Sequence, residues 1–401
     1  MRATGGHLGR LFLYAVMLMT ASAGSAEKCL TAIPKVMFDT SSNCSAEPKI
    51  DRLLGAQTMV WGEYTYLVGN VGNDLQLWDI TDPSKPVGKS GSHFDLGDFG
   101  DQDYGLYNFS VCDDCRYGVA VHRLGTVLFD LGDGRRPGFV DHSIAWDALD
   151  VRGAFTFKRD GQQYLIASDL VDECSSRFST LYEFAGATEE ALARVDCVAH
   201  PTRKTRIVNG FVVGDYLYLG DATKRVYIYS TGYENAPVDP TLAVTYVSAP
   251  MIAYMIHGQG LDVDEGLAVE ANHTGMHVWD VSAPGSPIKL STIPGDYNRA
   301  AVRNGLAFIA KKGYENSERT FDIADPVNPV EVSADLWDVA NPWNHSDHLC
   351  VGIQDAVFAP DGSALYVLRY SLGQIAAVDD CPGNGRIFSD GFETNDLSNW
   401  K

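Results

Sequence analysis

The sequence is short of positive charge. Against 52 Asp and Glu stand 31 Lys and Arg, a net charge of −21 over 401 residues. Such a surface repels phosphate backbones and anionic headgroups, which argues against nucleic acid and membrane surfaces as partners. No stretch after residue 26 is long and apolar enough for a transmembrane helix. Short-spacing catalytic signatures are missing as well: no GxSxG elbow, no HExxH, no phosphate-binding glycine loop, and no GxGxxG after a strand.

The N-terminus is set aside first. Residues 1–10 carry Arg2, His7 and Arg10 and no acid, and LFLYAVMLMTASA (11–23) follows. That run is too short to span a bilayer comfortably, and small-residue cleavage patterns follow it at Ala21-Ser22-Ala23 and Gly24-Ser25-Ala26. This predicts a secretory signal peptide over 1–26 and a secreted or cell-surface protein, with the periplasm as the alternative. The eight cysteines, Cys29, Cys44, Cys112, Cys115, Cys174, Cys197, Cys350 and Cys381, all follow it. An even count in an exported chain predicts disulfides. Pairing of consecutive cysteines is favoured, and a Cys29–Cys381 staple is the main rival. For Cys112-x-x-Cys115 a bridge across a hairpin turn is preferred to a redox or zinc half-site, since there is no second CxxC and no βαβ context.

What is present is a repeat. DITDPSKPV (79–87), DVSAPGSPI (280–288) and DIADPVNPV (322–330) superpose without gaps, and DLGDGRRPG (130–138) is a weaker copy. Before each Asp runs a β-branched or aromatic segment: LQLW (75–78), MHVW (276–279), TVLF (126–129) and, in a related unit, VYIY (226–229). These read as strands, and the Asp-to-Pro segment as a turn, because proline fixes φ and removes a ladder donor. Upstream of each sits a hairpin such as GLDVDEGLAVEA (260–271). The unit is therefore four antiparallel strands, a to d. Its landmarks are Trp78, Phe129, Tyr182, Tyr229, Trp279, Phe321 and Val378, spaced 42 to 57 residues apart. Recurrence at this period predicts an all-β propeller over 27–385, with seven four-stranded blades favoured and six or eight as alternatives. Residues 33–39 (IPKVMFD) are expected to supply the missing fourth strand of the last blade.

The turn D-[IV]-x-[DA]-P-x-x-P-[VI] resembles the LVIVD repeat of exported bacterial β-propellers. The match is strong for units one, five and six, weak for two and four, and poor for three and seven. The resemblance implies a propeller at or outside the cell surface and no catalytic residues. The tail RIFSDGFETNDLSNWK (386–401) resembles FxDGFExxDxSxW segments on exported Gram-negative proteins, and reads as a sorting tag or a flexible end.

Two residue classes carry the functional expectations. Histidines concentrate in the predicted d–a connections (His93, His142, His200, His257, His345, His348) and b–c loops (His122, His273), with His277 alone inside a strand. Imidazole ligates transition metals, so His142, His200, His257, His345 and His348 are the candidate metal ligands, with Asp347 and Asp355 as orienting carboxylates. The acidic loop DLGDFGDQDYG (95–105), with Asp95, Asp98, Asp101 and Asp103, could hold Ca²⁺. Aromatics and one cation on the same predicted face, Trp146, Tyr254, Tyr297, Arg299, Trp337 and Trp343, form the candidate ligand-binding set. The favoured function is a monomeric binding or scaffold propeller for a protein, glycan or small molecule. A metal-dependent enzyme at the channel mouth and a purely structural surface protein are the rivals.

Overall fold

Alternating apolar strands closed by tight turns can bury their faces only by stacking sheet on sheet, and the chain does so radially. The computed structural model describes residues 28–39 and 53–380, apart from 72–73, 89–105, 107, 123–124, 148–152, 169–173, 175–177, 202–206, 235–237, 239–240, 254, 256–259, 312–316, 335–352 and 370–371. After β1 (Lys28–Asp39), six sheets are each built from four consecutive strands. Blade 1 comprises β2 (Leu53–Trp61), β3 (Tyr64–Val71), β4 (Asp74–Asp79) and β5 (Val87–Gly88). Blade 2 comprises β6 (Asn108–Ser110), β7 (Tyr117–His122), β8 (Gly125–Asp130) and β9 (Asp141–Asp147). Blade 3 comprises β10 (Gly153–Arg159), β11 (Gln162–Ser168), β12 (Phe178–Phe184) and β13 (Leu192–Ala199). Blade 4 comprises β14 (Ile207–Val213), β15 (Tyr216–Asp221), β16 (Arg225–Glu234) and β17 (Thr241–Ile252). Blade 5 comprises β18 (Leu261–Asp264), β19 (Leu267–Asn272), β20 (Gly275–Asp280) and β21 (Ile288–Pro294). Blade 6 comprises β22 (Arg299–Arg303), β23 (Leu306–Ala310), β24 (Arg319–Asp322) and β25 (Val330–Ala334).

The remaining strands, β26 (Ile353–Phe358), β27 (Ala364–Arg369) and β28 (Leu372–Asp380), share a composite sheet with β1, in the order β1-β28-β27-β26. The fold is an all-β propeller with blades of four antiparallel strands. The seven sequence landmarks all fall on third strands, from Trp78 on β4 to Val378 on β28. Lys28–Asp379 forms one compact unit. The predicted signal peptide and C-terminal tail fall outside the described residues.

Apolar clusters seal each sheet to the next. Phe109 and Phe129 of blade 2 pack with Met59 and Tyr66 of blade 1. Leu67, Trp78 and Ile80 of blade 1 pack with Tyr366 and Leu368 of the composite sheet, and Phe358 and Val367 of that sheet pack with Phe308 of blade 6. First strands neighbour one another, β2 beside β6 and β26, and β22 beside β18 and β26, so they form the inner wall.

The repeat motif is explained bond by bond. Its Asp folds back so that Oδ1 accepts the amide two residues on: Thr81 N to Asp79 at 3.1 Å, Ser282 N to Asp280 at 2.9 Å and Ala324 N to Asp322 at 2.8 Å. The following Ile or Val donates its amide to the a–b hairpin, Ile80 to Thr65 O at 2.8 Å, Val281 to Gly266 O at 2.8 Å and Ile323 to Gly305 O at 2.7 Å. That residue is buried in all three copies. The carbonyl of the first Pro accepts a hydroxyl from the preceding sheet: Ser248 Oγ to Pro284 O at 2.6 Å, Ser291 Oγ to Pro326 O at 2.7 Å and Tyr366 Oη to Pro83 O at 3.3 Å. The turn is thus a latch between blades, and the prolines hold the carbonyl in place by fixing φ.

Candidate functional site

Polar side chains on the first strands line the inner wall, and they spend their bonds on the neighbouring blade. Gln57 Nε2 donates to Phe109 O at 3.2 Å while its Oε1 accepts from Val111 N at 3.0 Å. Ser110 Oγ accepts from Thr156 N at 2.9 Å. Asn108 Nδ2 of blade 2 reaches farther, past blade 3 to Val208 O of blade 4 at 2.9 Å. Asp262 Oδ2 accepts from Val302 N at 2.8 Å, and Asp355 Oδ2 from Ala56 N at 3.0 Å. The guanidinium of Arg299, fully buried, donates from Nε to the carbonyl of Gln354. Buried polar groups must be paired, and here the pairing stitches blade to blade. Burial pushes the Asp262 carboxyl up to about 6 despite the amides of Val302 and Val263. Sequence reasoning passed over this belt. The available signal was a polar residue inside an otherwise apolar first strand.

The predicted metal ligands are placed as follows. His257, His345 and His348 lie outside the described residues, as do Asp347, His93 and the acidic loop 95–105. His142 stands on the outermost strand β9, paired with Phe129 and exposed, rather than in a d–a connection. His200 does follow β13, but it is buried. Its Nε2 meets Ser179 Oγ at 2.7 Å and its Nδ1 meets Tyr229 Oη at 2.6 Å, with Ser168 Oγ 2.8 Å beyond Ser179. Burial lowers its pKa to about 4, so the ring is neutral. A serine against an imidazole has the outline of a nucleophile and base. Here both serines are sealed from solvent, and the second ring nitrogen meets a phenol rather than a carboxylate. The unit therefore reads as a packed polar network. Asp355, expected to orient a metal ligand, instead holds Ala56 N and lies 4.0 Å from Arg299 Nε. Among the described residues no group of three His, Cys, Asp or Glu is arranged to hold a metal ion.

Of the predicted ligand-binding set, Tyr254, Trp337 and Trp343 lie outside the described residues. Tyr297 is buried against the blade 5–blade 6 core. Arg299 belongs to the belt. Trp146 is half-buried on β9, its ring 6.0 Å from that of Tyr182. These three do not gather at one surface.

Two groupings were not anticipated. On the b–c and d–a face, His273 Nδ1 meets Asp296 Oδ1 at 2.7 Å, His273 Nε2 meets Lys224 Nζ at 3.0 Å, and Lys311 Nζ meets Asp296 Oδ2 at 2.6 Å. Lys311 and His273 hold the Asp296 carboxyl below the usual range. On the opposite face, the blade 2 turn lays the guanidinium of Arg136 over Tyr64, 4.6 Å from the ring centroid, and Trp61 Nε1 donates to Gly134 O at 3.2 Å. The dipeptide Arg135-Arg136 in an acidic chain was the signal for the second.

The cysteine expectation is met where it can be seen. Cys174 and Cys197 are bonded, with Cα atoms 5.9 Å apart, and so are Cys112 and Cys115, at 5.1 Å. Cys44, Cys350 and Cys381 lie outside the described residues, and the Cys29 side chain is likewise not described. Among the described residues no helix is long and apolar enough to cross a membrane.

No family model matches the chain, and no curated protein matches it. Solved structures do. Raptor of Chaetomium thermophilum is similar at a TM-score of 0.51 and 10% identity, over 87% of this chain and 30% of that one. The β-propeller domain of Cps50 (Swd1) from Myceliophteria thermophila gives 0.51 and 14% identity, over 82% and 97%. A chain of the mitotic checkpoint complex gives 0.51 and 10%, over 94% and 100%. The chain thus spans under a third of the Raptor chain. Identities this low carry the architecture alone, and that architecture is the β-propeller.

Proposed function

We propose that this chain is an exported, seven-bladed propeller of the LVIVD-repeat type that works as a binding scaffold, with the composite β1-β28-β27-β26 sheet as the seventh blade. The observation that carries the binding reading is an asymmetry between the two ends of the strands. The a–b turns are tight, as at Asp160-Gly161 and Asn304-Gly305, where both residues have positive φ. The two longest connections, residues 89–107 between β5 and β6 and 335–352 between β25 and β26, both leave from the other end. A rigid ring with long connections on one face suits recognition, and loops of that length in a compact fold are usually functional. The sequence of the second connection includes Trp337 and Trp343, and tryptophan is a residue type that binding hot spots favour.

The experiment is an array of peptide and glycan probes exposed to the protein lacking residues 1–26. Saturable binding is expected, weakened at least tenfold by Trp337→Ala with Trp343→Ala at unchanged melting temperature. Binding untouched by that pair but abolished by Arg136→Ala would move the site to the opposite face and overturn this reading.

A further inference from the structure

The turn between β6 and β7 differs from the other a–b turns because a disulfide closes it. Cys112 and Cys115 enclose Asp113 and Asp114, and the Cys115 amide donates to Cys112 O at 3.1 Å. The two enclosed residues hold the first blade. Asp113 Oδ1 accepts from Val60 N at 2.7 Å, Asp114 N donates to Val60 O at 2.7 Å, and Asp114 Oδ1 accepts from Gly62 N at 2.7 Å. From the other side Lys158 Nζ of blade 3 donates to Asp114 O at 2.9 Å. Asp114 makes these bonds with φ at +51°, a left-handed conformation that costs a non-glycine residue about 1 kcal/mol or more. Three blades meet on two residues inside one small ring, and one of the two, Asp114, is held in a left-handed conformation.

We propose that Cys112–Cys115 is a thiol–disulfide exchange site for a dithiol reductant, and that its state decides whether blades 1, 2 and 3 stay clasped at this turn. Cys112 is partly exposed and Cys115 is buried, so Cys112 Sγ is the sulfur within reach. An incoming thiolate bonds to Cys112 Sγ, and the S–S electron pair leaves on Cys115 Sγ, which takes a proton. The second thiol of the reductant then displaces Cys112, which leaves as a thiol. Two electrons and two protons pass to the protein, and the reductant is left as its own disulfide.

The sequence separation makes the event local. A bridge three residues long removes little entropy from the unfolded chain, whereas Cys174–Cys197 closes a separation of 23. Opening the first should release Asp114 from its left-handed conformation without unfolding the ring.

The test is amide hydrogen exchange on the full chain, oxidised and after titration with dithiothreitol, with disulfide mapping at each dose. Cys112–Cys115 is expected to open at a lower dose than Cys174–Cys197. Exchange at Val60, Gly62 and Asp114 should then rise about tenfold, while strands of blades 4 to 6 are unchanged and reoxidation restores protection. A Cys112→Ser, Cys115→Ser variant should show the same loss permanently. If that variant does not fold, the titration of the natural chain still decides. Prior opening of Cys174–Cys197, or reduction of Cys112–Cys115 with no change at these three amides, would overturn the proposal.

Discussion

Asp355, on the first strand of the composite sheet, accepts the backbone amide of Ala56 at 3.0 Å across 299 residues of sequence. The bond lies between β26 and β2, beside the apolar cluster that packs the last strands on blade 1. The acid that makes this bond is buried, 4.0 Å from the buried Arg299.

Asp355→Ala is therefore expected to destabilise the protein by about 3 kcal/mol, because it leaves a buried amide unbonded and removes the carboxylate beside Arg299. Asp355→Asn keeps an acceptor for Ala56 N and should lose less. Urea unfolding of the three proteins side by side checks the order. Equal losses for Ala and Asn would show that charge against Arg299, not the bond to Ala56, dominates.

The two apolar positions of the repeat motif should respond unequally. Ile323 is buried, and Val330 at the end of the motif is 56% exposed. Ile323→Ala is expected to cost about 2–4 kcal/mol, and Val330→Ala less than about 0.5 kcal/mol. Thermal melts of both variants measure the contrast, which comparable losses would contradict.

Stability against pH carries opposed contributions from buried groups, histidines on one side and raised carboxyls on the other. His200 and His277 have pKa values lowered by burial to about 4. Between pH 6.5 and 4 the unfolded chain binds protons there that the fold refuses, so their contribution is lost as pH falls through that window. Asp262 is raised to about 6 by burial. Between pH 6 and 4 the fold binds a proton that the unfolded chain has released, so acidification relieves a cost at that site. The two histidines should outweigh Asp262 and give a fold less stable at pH 4.5 than at pH 7. His200→Gln should flatten this acid limb and Asp262→Asn should steepen it, both read from urea midpoints at the two pH values. A steeper limb for His200→Gln would reverse the sign assigned here.

Loss of the longer disulfide is a stability event. Cys174→Ser with Cys197→Ser is expected to cost about 3 kcal/mol through the freer unfolded chain. Comparison of calorimetric melts with those of the natural chain decides it. An unchanged melt would mean that the β12–β13 pairing alone fixes this segment.

Much of the fold was legible because propeller strands repeat one local instruction. Asp79, Asp280 and Asp322 each cap the same turn, and Ile80, Val281 and Ile323 each enter the same core. The period of such units can be read along a line of sequence. The functional expectations fared differently, since they depended on convergence. His142 and His200 were grouped by topology, yet one sits exposed on an outer strand and the other is buried with Ser179 and Tyr229. Loop histidines look alike in sequence, and burial separates them only once the blades pack.

By itself the sequence determined the strand period, the proline-held turns, the third-strand landmarks and the acidic character of the surface, all set by residues within one blade's length of chain. Tertiary structure decided which polar side chains serve the neighbouring blade. Gln57, Ser110, Asp262 and Asp355 find their partners 40 to 299 residues away: 54 for Gln57 to Val111, 46 for Ser110 to Thr156, 40 for Asp262 to Val302 and 299 for Asp355 to Ala56. Such a partner is specified by the curvature of the ring, which brings first strands side by side, and no local propensity encodes it.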